Sequence, residues 1–226
     1  MSGKYMAYVG SYSYTGKAKG ITVFDVDVEN GMFKERCEIE VDNSSYVIAS
    51  SDGKTLYSIA DEGVVSFRIL PNGSLARLNS APIRGMRGCH LCTDEEDKYV
   101  FVSGYHDGKT TVLSLNPDGS VGKIVDGVFD RGYGSVAERN FRPHVTCTRR
   151  MPDNRFVLSV DNGIDQVKIY RFNDKEQRLV QVDAIRCELE SAPRHFRYSK
   201  DGKFIYLMYE LKKAIDDGCD VWAYCT

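Results

Sequence analysis

The sequence lacks any long uninterrupted apolar stretch, although 42% of its 226 residues are hydrophobic. No run approaches the roughly 20 consecutive apolar residues that a membrane-spanning helix requires, so we expect no membrane association. The first segment, MSGKYMAYVGSY, also lacks the apolar stretch and the small-residue cleavage site of a secretory signal. We therefore expect a soluble protein that is located in the cytoplasm.

An excess of positive charge is also missing, since the formal net charge is -2 at pH 7. A chain without a basic footprint is not expected to bind nucleic acid. The charged fraction of 27% beside the hydrophobic content is typical of a folded globular chain. All-β architectures of this length often form one unit, and we predict a single domain over residues 1–226.

The cysteines are odd in number and scattered along the chain, and they do not follow the spacing of a disulfide scaffold or a zinc site. Cys89 and Cys92 form a Cys-x-x-Cys motif, but no second pair accompanies it, and residues three apart on a strand face opposite sides. We therefore predict reduced, buried thiols, no metal site and no cofactor. The seven cysteines are Cys37, Cys89, Cys92, Cys147, Cys187, Cys219 and Cys225.

Helical periodicity with caps is absent throughout, which predicts almost no helix. The sequence contains a repeat instead: a polar turn with Asp or Asn, then Lys or Arg, then a strand of alternating aromatic and aliphatic residues. The repeats read SSDGKTLYSIAD from Ser50, TDEEDKYVFVSG from Thr93, RMPDNRFVLSVD from Arg150 and YSKDGKFIYLMYE from Tyr198.

The basic residue of each repeat serves as an anchor for measuring its period. The anchors Lys4, Lys54, Lys98, Arg155 and Lys203 are separated by 50, 44, 57 and 48 residues. Such intervals fit the four-stranded blade of a β-propeller. The sequence therefore predicts an all-β propeller of four-stranded antiparallel blades, with about four to four and a half blades in an incomplete ring.

Turn dipeptides support this interpretation. Asn30-Gly31, Asn72-Gly73 and Asp118-Gly119 lie between predicted strands. Asn-Gly and Asp-Gly adopt the positive φ angles of tight hairpins at low cost, so we expect antiparallel hairpins at all three places.

Three of the four histidines lie where the inner strand of a blade is expected to begin. His90 and His195 each stand eight residues before their anchors, and His144 stands 11 residues before its anchor. The inner strands of a propeller begin at one mouth of the central channel, so these segments are expected to meet there. His106, in the loop sequence HDGK, is interpreted as an exposed turn residue.

Arginines accompany these histidines along the sequence. Arg87 precedes His90, Arg142 precedes His144, and Arg194 directly precedes His195. Guanidinium groups bind phosphate and carboxylate in a bidentate manner, so such a mouth would attract a small anionic molecule.

Two segments, RPHVTCTRRMPDNRFVLSVDNGIDQVKIYRF and APRHFRYSKDGKFIYLMYEL, closely resemble the 6-phosphogluconolactonase-type lactonases. These are seven-bladed propellers related to the fungal enzyme that cyclises carboxymuconate. The segments AYVGSYSYTGKAKGITVFDVD and GCHLCTDEEDKYVFVSGY fit the same family, so the resemblance extends from about Lys4 to Leu211. Family members continue for roughly another hundred residues, and we interpret the chain, whose tail departs from the pattern at Lys212, as C-terminally truncated.

The resemblance implies hydrolysis of a sugar-phosphate lactone, such as 6-phosphogluconolactone, by acid–base chemistry without a metal. It points to His144 and Glu210 as acid or base and to Arg194 as the group that holds developing negative charge. The residues expected to bind the substrate are Arg142, His195, His90 and Arg87.

Structural roles remain open as alternatives for each of these residues. The histidines could lock strand starts, Glu210 could be a solvated strand end, and Arg194 could be a structural clamp. The segment FDRGYGSVAERNF from Phe129 could cover the mouth or be a tolerated insertion. A different class of function also stays open: a non-catalytic propeller fragment that binds a ligand or a protein, or that forms a homo-oligomer through its open blade edges.

Overall fold

The computed structural model describes residues 5–135 and 141–211 of the chain. Every regular element in these two ranges is a β-strand, so the prediction of almost no helix is confirmed for the described residues. Nowhere in these ranges is there a helix long and apolar enough to cross a membrane. Residues 136–140 of the long predicted loop and the tail from Lys212 lie outside the described ranges.

The described strands form five antiparallel sheets, in which each strand pairs with its neighbour along the chain. We call these sheets blades 1 to 5 in chain order. Blades 1 and 2 consist of β1 (Tyr5–Gly10), β2 (Gly20–Asp27) and β3 (Met32–Glu40), then β4 (Val47–Ala49), β5 (Thr55–Ile59), β6 (Gly63–Ile69) and β7 (Leu75–Pro82). Blades 3, 4 and 5 consist of β8 (His90–Thr93), β9 (Tyr99–Gly104), β10 (Lys109–Leu115) and β11 (Val121–Phe129), then β12 (Val145–Arg150), β13 (Val157–Asp161), β14 (Gln166–Asn173) and β15 (Arg178–Arg186), then β16 (Pro193–Tyr198) and β17 (Ile205–Tyr209).

The blades follow one another around a shared inner edge. Blades 2, 3 and 4 each have four strands, while blades 1 and 5 have three and two strands within the described ranges. The first strands β4, β8, β12 and β16 contact one another in succession. This arrangement of sheets packed face to face about an axis is that of a propeller. The predicted fold class and the predicted extent of about four to four and a half blades are confirmed.

In blades 2, 3 and 5 a side chain of the polar turn accepts backbone hydrogen bonds at the start of the second strand. In blade 2 the Ser50 hydroxyl accepts a hydrogen bond from the backbone of Thr55 at 3.0 Å, and in blade 5 Ser199 accepts one from Phe204 at 2.9 Å. Blade 3 uses the carboxylate of Asp94, which accepts bonds from two backbone N–H groups, each at 2.8 Å. The repeat visible in the sequence is therefore a repeated way of closing this turn.

The predicted hairpins are confirmed at all three Gly-containing dipeptides. Gly31, Gly73 and Gly119 adopt φ angles of 65°, 80° and 85°, in the left-handed region that glycine reaches at low cost. Each glycine lies between the last two strands of its blade, which are β2 and β3, β6 and β7, and β10 and β11.

Apolar side chains fill the space between successive blades. Ile21 of blade 1 packs with Phe67 of blade 2, and Phe101 of blade 3 packs with Tyr170 and Phe172 of blade 4. Burying large aromatic side chains in this way removes most of their apolar surface from water, which is the main stabilising contribution.

Blades 3 and 4 are also joined by a buried hydroxyl cluster. Ser103 donates to Thr148 at 3.0 Å, and Ser159 lies 3.0 Å from both Thr148 and Thr110. All four side chains are buried, so each hydroxyl finds its partner within the cluster rather than in water.

Asp94 offers a test of the turn chemistry. Replacing Asp94, which is 3% exposed, with alanine removes two backbone hydrogen bonds and the carboxylate that lies 3.7 Å from Arg150. We expect Asp94→Ala to lower the free energy of unfolding by about 2–4 kcal/mol in urea titrations. Asp52→Ala, at the exposed turn of blade 2, is the matched control and should cause a much smaller change. Equal losses in the two variants would contradict this account.

Candidate functional site

A cleft of about 420 Å³ lies at one end of the blades. Strands β8, β12 and β16 begin near this end, and their partners β9, β13 and β17 finish there because the pairing is antiparallel. The cleft therefore collects strand ends from several blades, as the sequence predicted. Its lining residues are Tyr12, Cys89, Tyr105, His106, Thr146, Arg194, His195 and Glu210.

Arg194 and Glu210 meet directly in this cleft. Arg194, on β16, donates from Nη1 to Oε2 of Glu210, just after β17, at 2.7 Å. The side chains keep 46% and 26% of their surface exposed, so both remain accessible from the cleft. Charge-assisted hydrogen bonds of this kind hold a guanidinium in a fixed direction. The predicted arginine and glutamate are thus neighbours, and the pair also fits the alternative of a structural clamp.

His144 lies beside the cleft and is firmly held. Its Nδ1 is 2.6 Å from the carbonyl oxygen of Tyr105, and its ring stacks on the Tyr105 ring with centroids 4.3 Å apart. Because a carbonyl only accepts hydrogen bonds, Nδ1 carries the proton and the lone pair of the neutral ring is on Nε2. Burial lowers the pKa of His144, and the bond to Tyr105 opposes this only in part. The imidazole is therefore neutral at pH 7, but His144 is only 4% exposed and is not among the residues that line the cleft.

His195 lines the cleft, whereas His90 lies deeper. The two rings are in contact, with centroids 5.7 Å apart, but His90 is 0% exposed. Burial, and then the nearby guanidinium of Arg194, lower the pKa of His195. Burial lowers the pKa of His90 well below its ordinary value. A ligand in the cleft can thus reach His195 directly and His90 only through it.

One group of possible metal ligands occurs in the described part of the chain. The ligand atoms of His90, Cys147 and His195 all lie within 4.8 Å of one another. However, Arg149 donates from Nη2 to Nε2 of His90 at 3.2 Å. This bond uses the lone pair on that nitrogen and places a positive charge beside the group, both of which disfavour a cation there.

The two other predicted substrate-binding arginines stand behind residues that line the cleft. Arg142 donates to the carbonyl oxygen of His106 at 3.1 Å. Arg87 donates to Asp61 at 3.0 Å and lies over the ring of Tyr12, 4.9 Å from its centroid. Arg142 therefore adds positive charge near the cleft, whereas Asp61 balances the charge of Arg87, and neither arginine is among the lining residues.

Sequence reasoning missed Tyr105 and Asn162 and did not assign His106 to the site. His106 is exposed, as predicted, but it also lines the cleft. A sequence pattern could have identified Tyr105 and Asn162. Each stands seven residues after the basic anchor of its repeat, directly after the second strand of its blade. The four positions related in this way to their anchors are Asp61, Tyr105, Asn162 and Glu210.

The burial of the cysteine thiols agrees only in part with the prediction. All five described cysteines are free, but only Cys147 is buried, and the other four are half-buried. Cys89 lines the cleft, where burial raises its pKa to about 12. A thiol that holds its proton so tightly is a poor nucleophile at neutral pH.

A pair of buried acidic residues lies under the segment that carries His144. Asp161 accepts a hydrogen bond from the His144 backbone N–H at 2.8 Å, and Asp130 accepts one from the Tyr170 hydroxyl at 2.7 Å. The two carboxyl groups interact, and their Oδ2 atoms have no other partner among the described residues. Two carboxyl groups form a hydrogen bond only when one is protonated. Burial, and then the charge of Asp130, raise the pKa of Asp161 to about 8.

This pair predicts a specific pH dependence of stability. The pKa of Asp161 rises from 3.8 to about 8 on folding, so the folded state holds the proton more tightly. Its stabilising contribution is complete below pH 3.8 and is lost as the pH rises to about 8. The slope is at most about 1.4 kcal/mol per pH unit. We expect Asp161→Asn, which resembles the protonated acid, to flatten the dependence in denaturant titrations, whereas the exposed control Asp183→Asn should keep it. Equal slopes in all three proteins would rule out the shared proton.

Comparison with known proteins agrees with this architecture. The sequence model of the family described as "Lactonase, 7-bladed beta-propeller" matches residues 6–223. The chain therefore belongs to the seven-bladed β-propeller lactonase family, as the resemblance of its motifs predicted.

Individual relatives point the same way. A 6-phosphogluconolactonase of Bacillus subtilis is 31% identical over 218 residues, which cover 94% of this chain and 61% of the relative. The structure of a candidate 6-phosphogluconolactonase from Bacteroides fragilis is 31% identical with a TM-score of 0.85, covering 92% of this chain and 62% of that one. The periplasmic gluconolactonase of Pseudomonas aeruginosa is 25% identical with a TM-score of 0.83, covering 91% and 61%. The chain thus spans less than two thirds of the length of each of these proteins.

Proposed function

We propose that this chain hydrolyses a sugar-phosphate lactone of the 6-phosphogluconolactone type by acid–base chemistry that uses protein side chains alone. The observation that carries the proposal is the Arg194–Glu210 pair, 2.7 Å apart in a cleft that His144 adjoins through Tyr105. The names of the relatives in Bacillus subtilis and Pseudomonas aeruginosa support a lactone as the substrate.

The reaction adds one water molecule to a cyclic ester. The water oxygen forms a bond to the carbonyl carbon and gives up a proton, and the ring C–O bond then breaks as its oxygen receives a proton. His144 suits the first role because its neutral ring has a free lone pair on Nε2, and Glu210 is the alternative acceptor. Arg194 suits the stabilisation of the carbonyl oxygen, where negative charge develops during attack.

The charge around the cleft favours an anionic substrate. Arg194 lines the cleft, and Arg142 and Arg87 contact the lining residues His106 and Tyr12 from behind. Within the described residues Glu210 is the one carboxylate among the lining groups. Because Glu210 and Asp61 already pair with Arg194 and Arg87, a phosphate that binds here would have to share these guanidinium groups with the two carboxylates, while Arg142 contributes its charge without an acidic partner among the described contacts.

An assay of lactone opening tests the proposal. We expect the purified chain to accelerate opening of 6-phosphogluconolactone above the spontaneous rate, followed by acid release with a pH indicator. Arg194→Ala should reduce the excess rate by roughly 10²–10³-fold through loss of oxyanion stabilisation. Because the pKa of His144 is lowered, the excess rate should persist below pH 6.5.

The control for charge is Arg178→Ala on strand β15, which removes an exposed arginine outside the cleft. It should leave the excess rate unchanged. A wild-type protein without any excess rate would contradict the enzymatic proposal and favour the non-catalytic alternative. In that case a defined oligomer in size-exclusion chromatography with light scattering would indicate association through open blade edges.

A further inference from the structure

The turn formed by residues 161–163 contacts both predicted acid–base residues. It lies at the end of β13 in blade 4, between the segment of His144 and the first strand of blade 5. Neither Asp161 nor Asn162 was selected from the sequence as a site residue, yet they are 0% and 1% exposed. Buried polar side chains are costly unless their hydrogen bonds are made, so their partners show what the turn holds in place.

On one side the turn holds the backbone of His144 from two directions. The N–H of His144 donates to Oδ1 of Asp161 at 2.8 Å, and the N–H of Asn162 donates to the carbonyl oxygen of His144 at 2.9 Å. Gly163 allows this close approach, since a Cβ atom there would lie 1.7 Å from the carbonyl oxygen of Arg142. The position of His144 is thereby fixed relative to the turn.

On the other side the same turn reaches Glu210. The Nδ2 group of Asn162 donates to Oε2 of Glu210 at 3.1 Å, and it lies 3.4 Å from the carbonyl oxygen of Ala192. The backbone N–H of Glu210 also donates to Ala192, at 2.8 Å. The oxygen of Glu210 that Asn162 contacts is the one that binds Arg194. A single buried amide thus lies between His144 in blade 4 and the Arg194–Glu210 pair in blade 5.

We propose that Asn162 is a positioning residue for lactone opening, which holds the Glu210 carboxylate and Arg194 in register with His144 across the junction of blades 4 and 5. This inference rests on the proposed function for its catalytic consequence, but the contact itself is testable without activity. An amide suits the role because it donates to Glu210 through Nδ2, whereas an aspartate of the same shape would place a like charge 3.1 Å from that carboxylate.

The test compares Asn162→Asp with wild type and with Asn79→Asp. Asn79 is a matched control because its side chain also joins two blades, donating to the carbonyl oxygen of Val121 at 2.7 Å and accepting from Ser66 at 2.7 Å, away from the cleft. We expect Asn162→Asp to lower kcat by roughly 10- to 100-fold, with KM changed by less than about twofold. Asn79→Asp should affect stability but not kcat.

A second readout does not depend on catalysis. The carboxyl carbon of Glu210, followed by NMR against pH, should titrate at a higher midpoint in Asn162→Asp than in wild type or in Asn79→Asp, because the charged form loses a donor and gains a repulsive neighbour. Should Asn162→Asp not fold, Asn162→Ser takes its place, since it is too short to reach Glu210 and adds no charge. A serine variant is expected to lower kcat and raise the midpoint as well.

The outcomes separate this inference from the proposed function. An inactive wild-type protein would overturn lactone hydrolysis, while a shifted Glu210 midpoint would still support the contact. An active wild type whose Asn162 variants keep both the kcat and the Glu210 midpoint of the control would overturn the positioning role. Equal losses of kcat in the Asn162 and Asn79 variants would also overturn it, because they would reflect general destabilisation.

Discussion

The contact between neighbouring blades along their first strands is the constraint on which the rest of this molecule depends. The apolar faces of a sheet are stable only when they are shielded from water. Here each blade packs against the next one through aromatic and aliphatic side chains such as Phe67 and Phe101. Packing sheets this way brings strands β8, β12 and β16 together at one edge. The polar residues at the ends of those strands are then neighbours in space, although roughly fifty residues separate them in sequence.

Among the described residues at this edge, arginines outnumber the acidic groups that pair with them. Arg149, Arg194 and Arg197 surround His195, and the second largest influence that lowers the pKa of His195, after burial, is the charge of Arg194. Glu210 balances Arg194. Arg149 instead contacts His90 and the sulfur of Cys92, at 3.2 Å and 3.8 Å. Burial and the nearby guanidinium groups thus lower the pKa of both His195 and His90, so both imidazoles are neutral at pH 7.

Much of the fold was predictable because the determinants are local. Asp or Ser in the polar turn bonds to backbone groups a few residues away, and Asn-Gly pairs form the hairpins. Each repeat in the sequence therefore corresponds to one blade. The association of Arg194 with Glu210 was also predictable, since both lie at strand ends of the same blade.

The remaining parts of the site depend on contacts between blades, which a repeat period does not reveal. Tyr105 supports His144 from blade 3, and Asn162 of blade 4 bonds to Glu210 of blade 5. Their common position seven residues after the anchors is visible only once the strand ends are known to face one opening. The depth of His90 was likewise unpredictable, because the rings that contact it, Tyr46 and His195, come from two other blades, blade 2 and blade 5.

The hydroxyl cluster between blades 3 and 4 has a consequence for how these two sheets can move. Ser103, Thr110, Thr148 and Ser159 occupy matching heights on four different strands. If one sheet slid past the other by a single residue, a shift of about 3.3 Å, these buried hydroxyls would move out of hydrogen-bonding distance and would lose their partners in an apolar setting at once. The cluster therefore allows only one relative position of the two sheets along their strands. It thereby also fixes the relative position of the cleft residues that blades 3 and 4 contribute.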